Sequence, residues 1–306
     1  MKVQNPGYLV LYESGELKTR REKLEALMKP CRLCPHACGV DRFNGERGKC
    51  RTGALPLVAS FHAHHGEERC LSGTRGSGTV FFANCNLSCI FCQNYDISQY
   101  GYGDEVSYRQ LGEAMLTLQL QGCHNINLVT PTHLSAAVPG ALEYAVPKGL
   151  HLPLVYNCGG YESLETLQLL DSIVDIYMPD FKYMDGKTAA EFSGVEDYPL
   201  VAMNALREMH RQVGDLLCDT SGHALHGLLV RHLVLPENRA ATDRVLHFLA
   251  SLSPNTYVNI MDQYHPEYNA RKIFDLRRRI TLDEYDRALV WAAEAGLMRI
   301  DGKRTC

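Results

Sequence analysis

From residue 76 onward, apolar runs of strand length alternate with amphipathic helical patterns, and this alternation limits the folds open to the chain. The runs are continuous in Val, Ile, Leu and aromatic residues. Such runs are typical of parallel strands that are covered on both faces, with helices as right-handed crossovers. The predicted strands cover residues 78–83, 125–130, 152–157, 174–180, 227–236 and 257–261.

Helical patterns fill the intervals between these runs, and two of them begin with a capping-box pair. The pairs are Ser107 with Gln110 and Thr281 with Glu284. Six βα units are two short of a closed eightfold barrel, so we predict an α/β fold with a partial (β/α)6 barrel. A doubly wound sheet is the alternative that the pattern does not separate. The predicted helices cover residues 108–122, 134–148, 163–172, 198–213, 241–252 and 282–297.

The first 75 residues have a different character, because they are rich in cysteine and show one regular pattern, a helix near 15–28. We predict a small cysteine-rich N-terminal module over residues 1–75 and the barrel over residues 76–306. The glycine-rich stretch at 72–78 is the expected connection.

Composition narrows the class of protein. Of the 306 residues, 45% are hydrophobic, and the net charge is −4 without a long basic run, which argues against nucleic acid as an obligate partner. No apolar stretch has the length of a membrane span, and the first residues lack the apolar region of a signal peptide. We therefore expect a cytoplasmic protein without a membrane partner.

The chain contains twelve cysteines, which are not expected to form disulfides in a reducing compartment. Spaced clusters of cysteine there indicate metal or cluster ligands, whereas scattered ones are typical small buried residues. One cluster is a C-x3-C-x2-C motif, formed by Cys85, Cys89 and Cys92. The other is formed by Cys31, Cys34, Cys38 and Cys50. The scattered ones are Cys70, Cys123, Cys158, Cys218 and Cys306.

The C-x3-C-x2-C motif follows the first predicted strand of the barrel, at the end where α/β proteins place their chemistry. Three thiolates are one short of a closed site. They can hold three irons of a [4Fe–4S] cube and leave the fourth iron open to an amine and a carboxylate, such as the methionine end of S-adenosylmethionine. A zinc site completed by a distant histidine is the alternative.

The same motif, with Phe91 before its last cysteine, resembles the signature of the radical SAM superfamily. The stretches "CIFCQNYDIS" and "CRLCPHACGVDRFNGERGKC" resemble the pyruvate formate-lyase activating enzyme-like group, and the similarity extends over nearly the whole chain. It implies reductive cleavage of S-adenosylmethionine at a [4Fe–4S] cluster to a 5′-deoxyadenosyl radical, which abstracts hydrogen from a substrate. The substrate could be a glycyl-radical enzyme, a peptide or a small molecule. A one-electron donor such as flavodoxin or ferredoxin is also implied.

The resemblance assigns cofactor contacts by position. Phe91 would present its backbone to the adenine, and Asn94 falls in the C-x-N position of the cluster loop. Asp180 and Lys182 match a D-x-K motif, and Arg231 matches a basic residue near the cofactor. A sulfonium amino acid offers a carboxylate to Lys or Arg and an ammonium to Asp. A structural ion pair is the alternative for Asp180 and Lys182.

This chain departs from the group after the second strand, where "TPTH" replaces a Gly-Gly-Glu type of turn. Thr132 and His133 are expected to supply acceptors for the methionine amine instead. After the third strand, Asn157 is an expected cofactor contact. Glu162 is either a site carboxylate or a charge at a helix N-terminus.

Two further segments carry candidate residues. The "DQYHP" segment after the sixth strand supplies the substrate-side candidates Asp262, Tyr264 and His265. In "FHAHHGEERC", alternation would place His62 and His64 on one face of a strand. That stretch is expected at the surface or over the barrel, or in the wall of the substrate cavity.

The cluster of Cys31, Cys34, Cys38 and Cys50 has four thiolates around a loop, which suits structural zinc or a closed second iron–sulfur cluster. Both metals remain open, as does the absence of any metal. An alternative function for the whole chain is a non-catalytic iron–sulfur electron carrier or metal-binding scaffold. Such a protein would need no cofactor set of the kind formed by Asp180, Lys182 and Arg231.

Overall fold

The computed structural model describes residues 5–301, and Cys306 lies outside this range. The helices, in chain order, are α1 (Gly7–Glu13), α2 (Glu16–Ala26), α3 (Arg69–Ser72), α4 (Tyr95–Ser98), α5 (Tyr108–Leu120), α6 (Ala137–Ala145), α7 (Leu164–Leu169), α8 (Gly186–Ser193), α9 (Tyr198–Val213), α10 (Thr242–Leu252) and α11 (Leu282–Glu294). The strands are β1 (Leu57–His64), β2 (Ser77–Phe82), β3 (Asp104–Glu105), β4 (Ile126–Val129), β5 (Leu154–Cys158), β6 (Ile176–Pro179), β7 (Leu217–Cys218), β8 (Ala224–Leu233), β9 (Tyr257–Met261) and β10 (Arg299–Asp301).

A mostly parallel sheet forms the centre of the molecule, which confirms the predicted α/β class. Strands β2, β4, β5, β6, β8 and β9 are parallel and adjacent in chain order, and β10 extends the sheet beyond β9. At the opposite edge β1 pairs antiparallel with β2, and β3 pairs with β1. Parallel strands bring their carboxyl ends to one edge, so the polypeptide that follows each strand meets there.

The two faces of the sheet have different partners. Alternate strand residues such as Val80, Leu128 and Tyr156 join a large apolar core with the long helices. The other face holds a smaller apolar cluster, which combines strand residues with two residues of α3. This cluster includes Val155, Ile176, Met178, Leu229, Cys70 and Leu71. The long helices therefore pack on one face, whereas the short helix α3 packs on the other.

The six predicted strands of the barrel region and the helices between them are confirmed within a few residues. Both capping boxes are also confirmed: Ser107 Oγ accepts from the Gln110 N–H at 3.2 Å, and Thr281 with Glu284 forms the second. Alternation at His62 and His64 predicted a strand there, and both residues lie in the second half of β1, with His64 in the wall of the cavity described below. The first half of β1, where a register shift lies between Val58 and Ser60, was not predicted.

Several other elements were also not predicted from the pattern. They are α1, α3, α4, α8, β3, β7 and β10. Strand β1 lies before residue 76, and its partner β2 begins at Ser77. The division into a module over 1–75 and a barrel over 76–306 stays a prediction. Within residues 5–301, the helices are too short or too polar to cross a membrane.

We expect Thr281→Ala to lower the free energy of unfolding by about 1 kcal/mol, because the Glu284 N–H loses its acceptor at the start of α11. Thr281→Ser keeps the hydroxyl and should retain most of the parent's stability. Urea denaturation of the three proteins measures the difference. Equal stability of the alanine variant and the parent would show that this cap does not contribute.

Candidate active site

A cavity of about 730 Å³ lies at the carboxyl ends of the parallel strands. One wall is the segment that follows β2, residues 83–94, which we call the cysteine loop. The strand ends supply the rest, together with the segment between β1 and α3. The strand residues that line the cavity include Phe82, Val129, Asn157, Arg231, Asn259 and Met261, and Asp180 directly after β6 lines it as well. The volume suits a small-molecule ligand of cofactor size.

The cysteine loop brings Cys85, Cys89 and Cys92 into the cavity wall. The backbone N–H of Leu87 donates to Cys85 Sγ at 3.3 Å. Cys89 Sγ lies 3.0 Å from the Ser193 hydroxyl, and Cys92 Sγ lies 3.1 Å from the Ser98 hydroxyl. Each sulfur therefore has a group that can donate a hydrogen bond to it, which stabilises a thiolate.

The electrostatic environment of Cys85 and Cys89 opposes ionisation in the absence of a bound cation. Burial raises the pKa of Cys85, and the neighbouring thiols of Cys89 and Cys92 raise it further. Burial also raises the pKa of Cys89, and the positive charge of Lys182 partly offsets this by lowering it. Metal ligation requires deprotonated thiols and supplies the missing positive charge, so these sulfurs suit a metal or cluster better than free thiolates.

The loop is held by elements on two sides. The Ile90 N–H donates to the Phe192 carbonyl oxygen of α8 at 2.9 Å, and the Asn269 N–H donates to the Ile90 carbonyl oxygen at 2.8 Å. The ring of Phe91 packs edge-on against Phe192 and Tyr264. Phe91 thus anchors the loop in the core while its main chain lies between two cluster-motif cysteines.

At the end of β6, Asp180 and Lys182 form an ion pair in the cavity wall, with 2.6 Å between Lys182 Nζ and Asp180 Oδ2. Burial works to lower the pKa of Lys182, but the Asp180 carboxylate and the Cys89 thiol outweigh it and raise this pKa well above its ordinary value. The Tyr198 hydroxyl fixes the turn, since it accepts from the Lys182 N–H at 2.9 Å and lies 2.9 Å from the Asp180 carbonyl oxygen. Lys182 is therefore a fixed positive charge.

Arg231 on β8 is paired with two carboxylates from the segment before α3. Its Nε donates to Glu68 Oε1 at 2.7 Å and its Nη2 donates to Glu68 Oε2 at 2.7 Å, and Nη2 also contacts Glu67. Asn259 donates to Glu68 Oε1 at 2.7 Å. Burial works to raise the pKa of Glu68, but Arg231 outweighs it, so the net shift is downward. The charge of Arg231 is largely balanced by the protein itself.

The remaining predicted cofactor residues fall into two groups, those that line the cavity and those that do not. Asn94 and Asn157 line the cavity. Thr132 and His133 are buried outside its lining, and Thr130, which has a positive φ of 62°, lines it instead. The positive φ turns the chain at the end of β4, so the residues after it point away from the cavity. Their cofactor roles stay predictions that this placement does not favour.

Behind the cavity wall, Thr132 and Glu162 form part of the helix-side core. Thr132 Oγ1 donates to Glu162 Oε1 at 2.6 Å, and the Tyr156 hydroxyl donates to Glu162 Oε2 at 3.1 Å. Burial raises the pKa of Glu162 to about 7. Cys158, which also lines the cavity, belongs to the same helix-side core, and its thiol acts to lower the pKa of Glu162.

His133 is a second buried polar group behind the wall. Its Nε2 lies 3.1 Å from the Ala83 carbonyl oxygen, and its own carbonyl oxygen accepts from Arg42 Nη1 at 2.7 Å. Burial lowers its pKa to about 3, and the Arg42 charge acts in the same direction. A neutral imidazole at this place connects the start of the cysteine loop to the N-terminal segment.

The segment after β9 contributes one side of the cavity mouth, although not through the predicted residues. Met261 and Gln263 line the cavity, whereas Asp262, Tyr264 and His265 do not. Tyr264 is buried, and its hydroxyl donates to the Leu276 carbonyl oxygen at 2.8 Å. The substrate-side roles stay predictions. Gln263 is the residue of this segment that reaches the cavity.

The second cysteine set lies next to the cysteine loop. Burial raises the pKa of Cys34 to about 12, and the thiols of Cys50 and Cys31 contribute, so these groups are neighbours. Cys38 joins them through its electrostatic contact with Cys31. His36 Nε2 lies 2.7 Å from the carbonyl oxygen of Asn86, the residue after the first motif cysteine.

In residues 5–301 no three His, Cys, Asp or Glu side chains are arranged to hold a single metal ion. A tetrahedral zinc site, with Zn–S bonds of about 2.3 Å, requires thiolates within about 4 Å of one another. In an iron–sulfur cube, iron and sulfide atoms lie between the ligating thiolates, so the thiolates are further apart than in a zinc site. The ligand sets predicted from the sequence, including Cys85, Cys89 and Cys92, therefore stay predictions.

Several site residues were not selected from the sequence. Ser98 and Ser193, beside the motif sulfurs, carry no local signal that distinguishes them from other serines. Glu67 and Glu68 belong to the "FHAHHGEERC" stretch, in which the sequence pattern singled out the histidines His62 and His64. Two adjacent carboxylates within a stretch that enters the sheet could have indicated a buried cation partner, since buried charges are paired.

Fold and site together define an α/β protein with a thiol-lined cavity at the carboxyl ends of its parallel strands. No family model matches the chain. It is 31% identical over 291 residues to the protein of Methanocaldococcus jannaschii named "Uncharacterized protein MJ0674", and the match covers 92% of this chain and 79% of that protein. The chain belongs to the family of that protein.

Gly160 is a sensitive position behind the Asp180–Lys182 pair. Its φ is +78°, and a Cβ there would lie 2.4 Å from the Asp180 carbonyl oxygen. An alanine in the left-handed conformation costs about 1–2 kcal/mol. Gly160→Ala should lower the free energy of unfolding by more than this, because the end of β6 must also move.

Gly149→Ala is the matched control, since Gly149 has a φ of +95° and no atom within 4 Å of the added Cβ. It should show the backbone strain alone. Denaturant unfolding of both variants tests the difference. Equal losses would mean that the approach to Asp180 is not a constraint.

Proposed function

We propose that this protein is a radical SAM enzyme, in which Cys85, Cys89 and Cys92 hold a [4Fe–4S] cluster and the adjoining cavity binds S-adenosylmethionine. The observation that carries the proposal is the convergence of these thiols on one cavity with the Asp180–Lys182 ion pair. A cluster site and a site for a zwitterionic amino acid are thereby side by side.

The finer fold assignment that accompanies this function is a partial (β/α)6 barrel. Its support is the strand order, in which successive parallel strands are neighbours, and the packing of the long helices on one face. A doubly wound sheet reverses its strand order and carries helices on both faces. The small cluster around α3 would then fill the interior of the open barrel.

The donor set of the cysteine loop fits a cluster. The three sulfurs each have a hydrogen-bond donor beside them, and the buried thiols favour a bound cation. Hydrogen bonds to cluster sulfurs are a general means of tuning such groups. When bound, the cluster and S-adenosylmethionine supply reductive cleavage of the sulfonium and radical abstraction of hydrogen from a substrate.

The chain's own residues bind and orient the cofactor in this proposal. Lys182 offers a fixed positive charge to the carboxylate of S-adenosylmethionine, and Asp180 accepts from its ammonium. Asn94 and Asn157 supply polar groups in the same cavity. Arg231, already paired with Glu68, holds the far wall in place rather than binding the carboxylate.

The substrate and the second cysteine set complete the proposal. The substrate is a glycyl-radical enzyme, a peptide or a small molecule, and a one-electron donor reduces the cluster. Cys31, Cys34, Cys38 and Cys50 bind zinc or a second iron–sulfur cluster. The competing function, a non-catalytic electron carrier, would leave the cavity and its Asp180–Lys182 pair without a purpose.

We expect the anaerobically reconstituted protein, reduced with dithionite, to convert S-adenosylmethionine into 5′-deoxyadenosine and methionine. Alanine variants of Cys85, Cys89 and Cys92 should each lose this activity, because the cluster becomes underligated. Chromatography of the product measures it. Formation of 5′-deoxyadenosine by the triple alanine variant would refute the assignment of this motif.

Cys123→Ala is the matched control, because Cys123 is a buried cysteine that belongs to neither set. It should retain activity. Metal analysis of the triple alanine variant isolates the second set, and the expected content is about one site of zinc or iron–sulfur per chain. If the variant contains neither zinc nor iron near that level, the second metal site is refuted.

For Lys182→Ala we expect an about ten- to hundredfold weaker affinity for S-adenosylmethionine, since a hydrogen bond to a charged group contributes about 1.5–3 kcal/mol. The iron content should equal that of the parent. Titration of S-adenosylmethionine against the paramagnetic resonance signal of the reduced cluster gives the affinity. An unchanged affinity would show that the Asp180–Lys182 pair is structural.

Arg231→Ala should behave differently, because it leaves Glu67 and Glu68 without their buried partner. Breaking a buried pair costs about 3–5 kcal/mol, so loss of fold stability is the expected main effect. Arg231→Lys keeps a charge but not the bidentate geometry and should be intermediate. Thermal unfolding of both variants measures this. Full stability of Arg231→Ala together with weak cofactor binding would instead assign Arg231 to the cofactor.

A further inference from the structure

A cluster of tyrosines covers the outer side of the cysteine loop. Tyr95 of α4 stacks on Tyr268 with ring centroids 5.1 Å apart, and Tyr100 packs edge-on against Tyr95 at 5.6 Å. Tyr102 extends the cluster through Tyr100. Tyr100 is 55% exposed and Tyr102 is 65% exposed, so the cluster presents aromatic surface to solvent.

The segment that continues from Tyr268 is strongly basic. In residues 5–301, four exposed cations of this segment form no ion pair with a carboxylate: Arg271, Lys272, Arg277 and Arg279. Phe274 lies among them and is 80% exposed, with Arg277 over its ring. The chain as a whole has a net charge of −4, so this positive charge is concentrated locally. We call these four cations with Phe274 and the four tyrosines the basic aromatic surface.

This surface is connected directly to the proposed cluster site. Asn269, between Tyr268 and the basic segment, donates its N–H to the Ile90 carbonyl oxygen inside the C-x3-C-x2-C motif. Tyr95 follows the last motif cysteine by three residues. The surface is therefore linked to the motif by a short stretch of chain and by one backbone hydrogen bond.

We propose that the basic aromatic surface is the docking site of a small acidic electron-carrier protein, a flavodoxin. The inference rests on the proposed function, which requires that one electron reach the cluster from outside. Aromatic residues and Arg are enriched at the centres of protein interfaces, and complementary charge speeds and orients the encounter. A negatively charged carrier would be drawn to this locally positive region, whereas the net negative charge of the chain opposes its binding elsewhere.

The electron transfer balances without any other reactant. The fully reduced flavin of the carrier gives one electron to the cluster and becomes the semiquinone, and no bond of either protein forms or breaks. The cavity stays free for S-adenosylmethionine and substrate, because no residue of the basic aromatic surface is among those that line it.

Nucleic acid and a second copy of the chain are the competing occupants. Single-stranded nucleic acid stacks its bases on exposed aromatic faces along a continuous positive groove. Here Tyr95 and Tyr268 are stacked on each other, and the unpaired cations lie in one short segment. A second copy carries the same positive charge at this surface. These features favour an acidic protein.

The test uses the full chain with its reconstituted cluster and a purified acidic flavodoxin as the probe. Binding is measured by calorimetry at low salt and again at high salt, for the parent and for the double variant Arg271→Glu with Lys272→Glu. We expect the variant to bind at least about tenfold more weakly and to lose most of the salt dependence. Phe274→Ser, which alters the aromatic part alone, should weaken binding several-fold and keep the salt dependence.

Lys18→Glu with Lys23→Glu is the matched control, because it makes the same change in net charge at exposed positions of α2. It should bind flavodoxin within about twofold of the parent. Equal weakening by both double variants would overturn the proposal, since only net charge would matter. Unchanged binding in Arg271→Glu with Lys272→Glu would overturn it too, as would tighter binding of a single-stranded RNA probe than of flavodoxin.

Reduction of the cluster separates this proposal from the function on which it rests. With dithionite, all variants should show the parent's reduced-cluster signal. With reduced flavodoxin, cluster reduction should be slow in two variants, the double variant Arg271→Glu with Lys272→Glu and the single variant Phe274→Ser. A parent protein that yields no reducible cluster with dithionite contradicts the proposed function, whereas equal rates with flavodoxin contradict the docking surface.

Discussion

The buried pair of Glu68 and Arg231 is the interaction on which the arrangement of the site depends. Glu68 precedes α3, and Arg231 lies on β8, which β6, β5 and β4 separate from β2 in the sheet. At a strand spacing of about 4.8 Å, a flat sheet would put β8 about 19 Å from β2. Buried charges must be paired, so the segment that carries Glu68 has to cross the face opposite the helices. That crossing places Cys70 and Leu71 of α3 in the inner apolar cluster and closes the floor of the cavity.

This pairing also gives the two cations of the cavity different surroundings. Arg231 faces two carboxylates, one of which also accepts from Asn259, so its donors are used within the protein. Lys182 faces one carboxylate, Asp180, and lies beside the motif sulfurs. An incoming carboxylate group can therefore share the ammonium of Lys182 at little cost, whereas it would have to displace a bidentate contact at Arg231. The planar fork of arginine suits a structural anchor, and the compact ammonium of lysine suits a ligand contact.

Local sequence signals predicted the elements well and the site in part. Apolar periodicity identified the parallel strands, and the match of Asp180 and Lys182 at a strand end to a D-x-K motif was the reason to expect both side chains at the functional edge. The pairing of Glu68 with Arg231 left no such signal, because it depends on a path across the sheet that local pattern does not encode. The cofactor roles of Thr132 and His133 stay predictions, and the left-handed Thr130, after which the chain turns, lines the cavity in their place. After β9 the extended backbone alternates sides, so Gln263 reaches the cavity where its neighbours Asp262 and Tyr264 do not.

The N-terminal segment contacts the cysteine loop at both ends, so binding at the second cysteine set affects the rigidity of the loop. Arg51, the residue after Cys50, donates to the Ser98 carbonyl oxygen at 2.9 Å and also contacts the carbonyl oxygen of Gln99. The hydroxyl of the same Ser98 lies beside the Cys92 sulfur. On the other side of the loop, Asn86 is bonded to His36, which lies between Cys34 and Cys38. Order in the segment 31–51 therefore holds the loop at both ends, and any group that binds those four thiols stiffens the site of the other three.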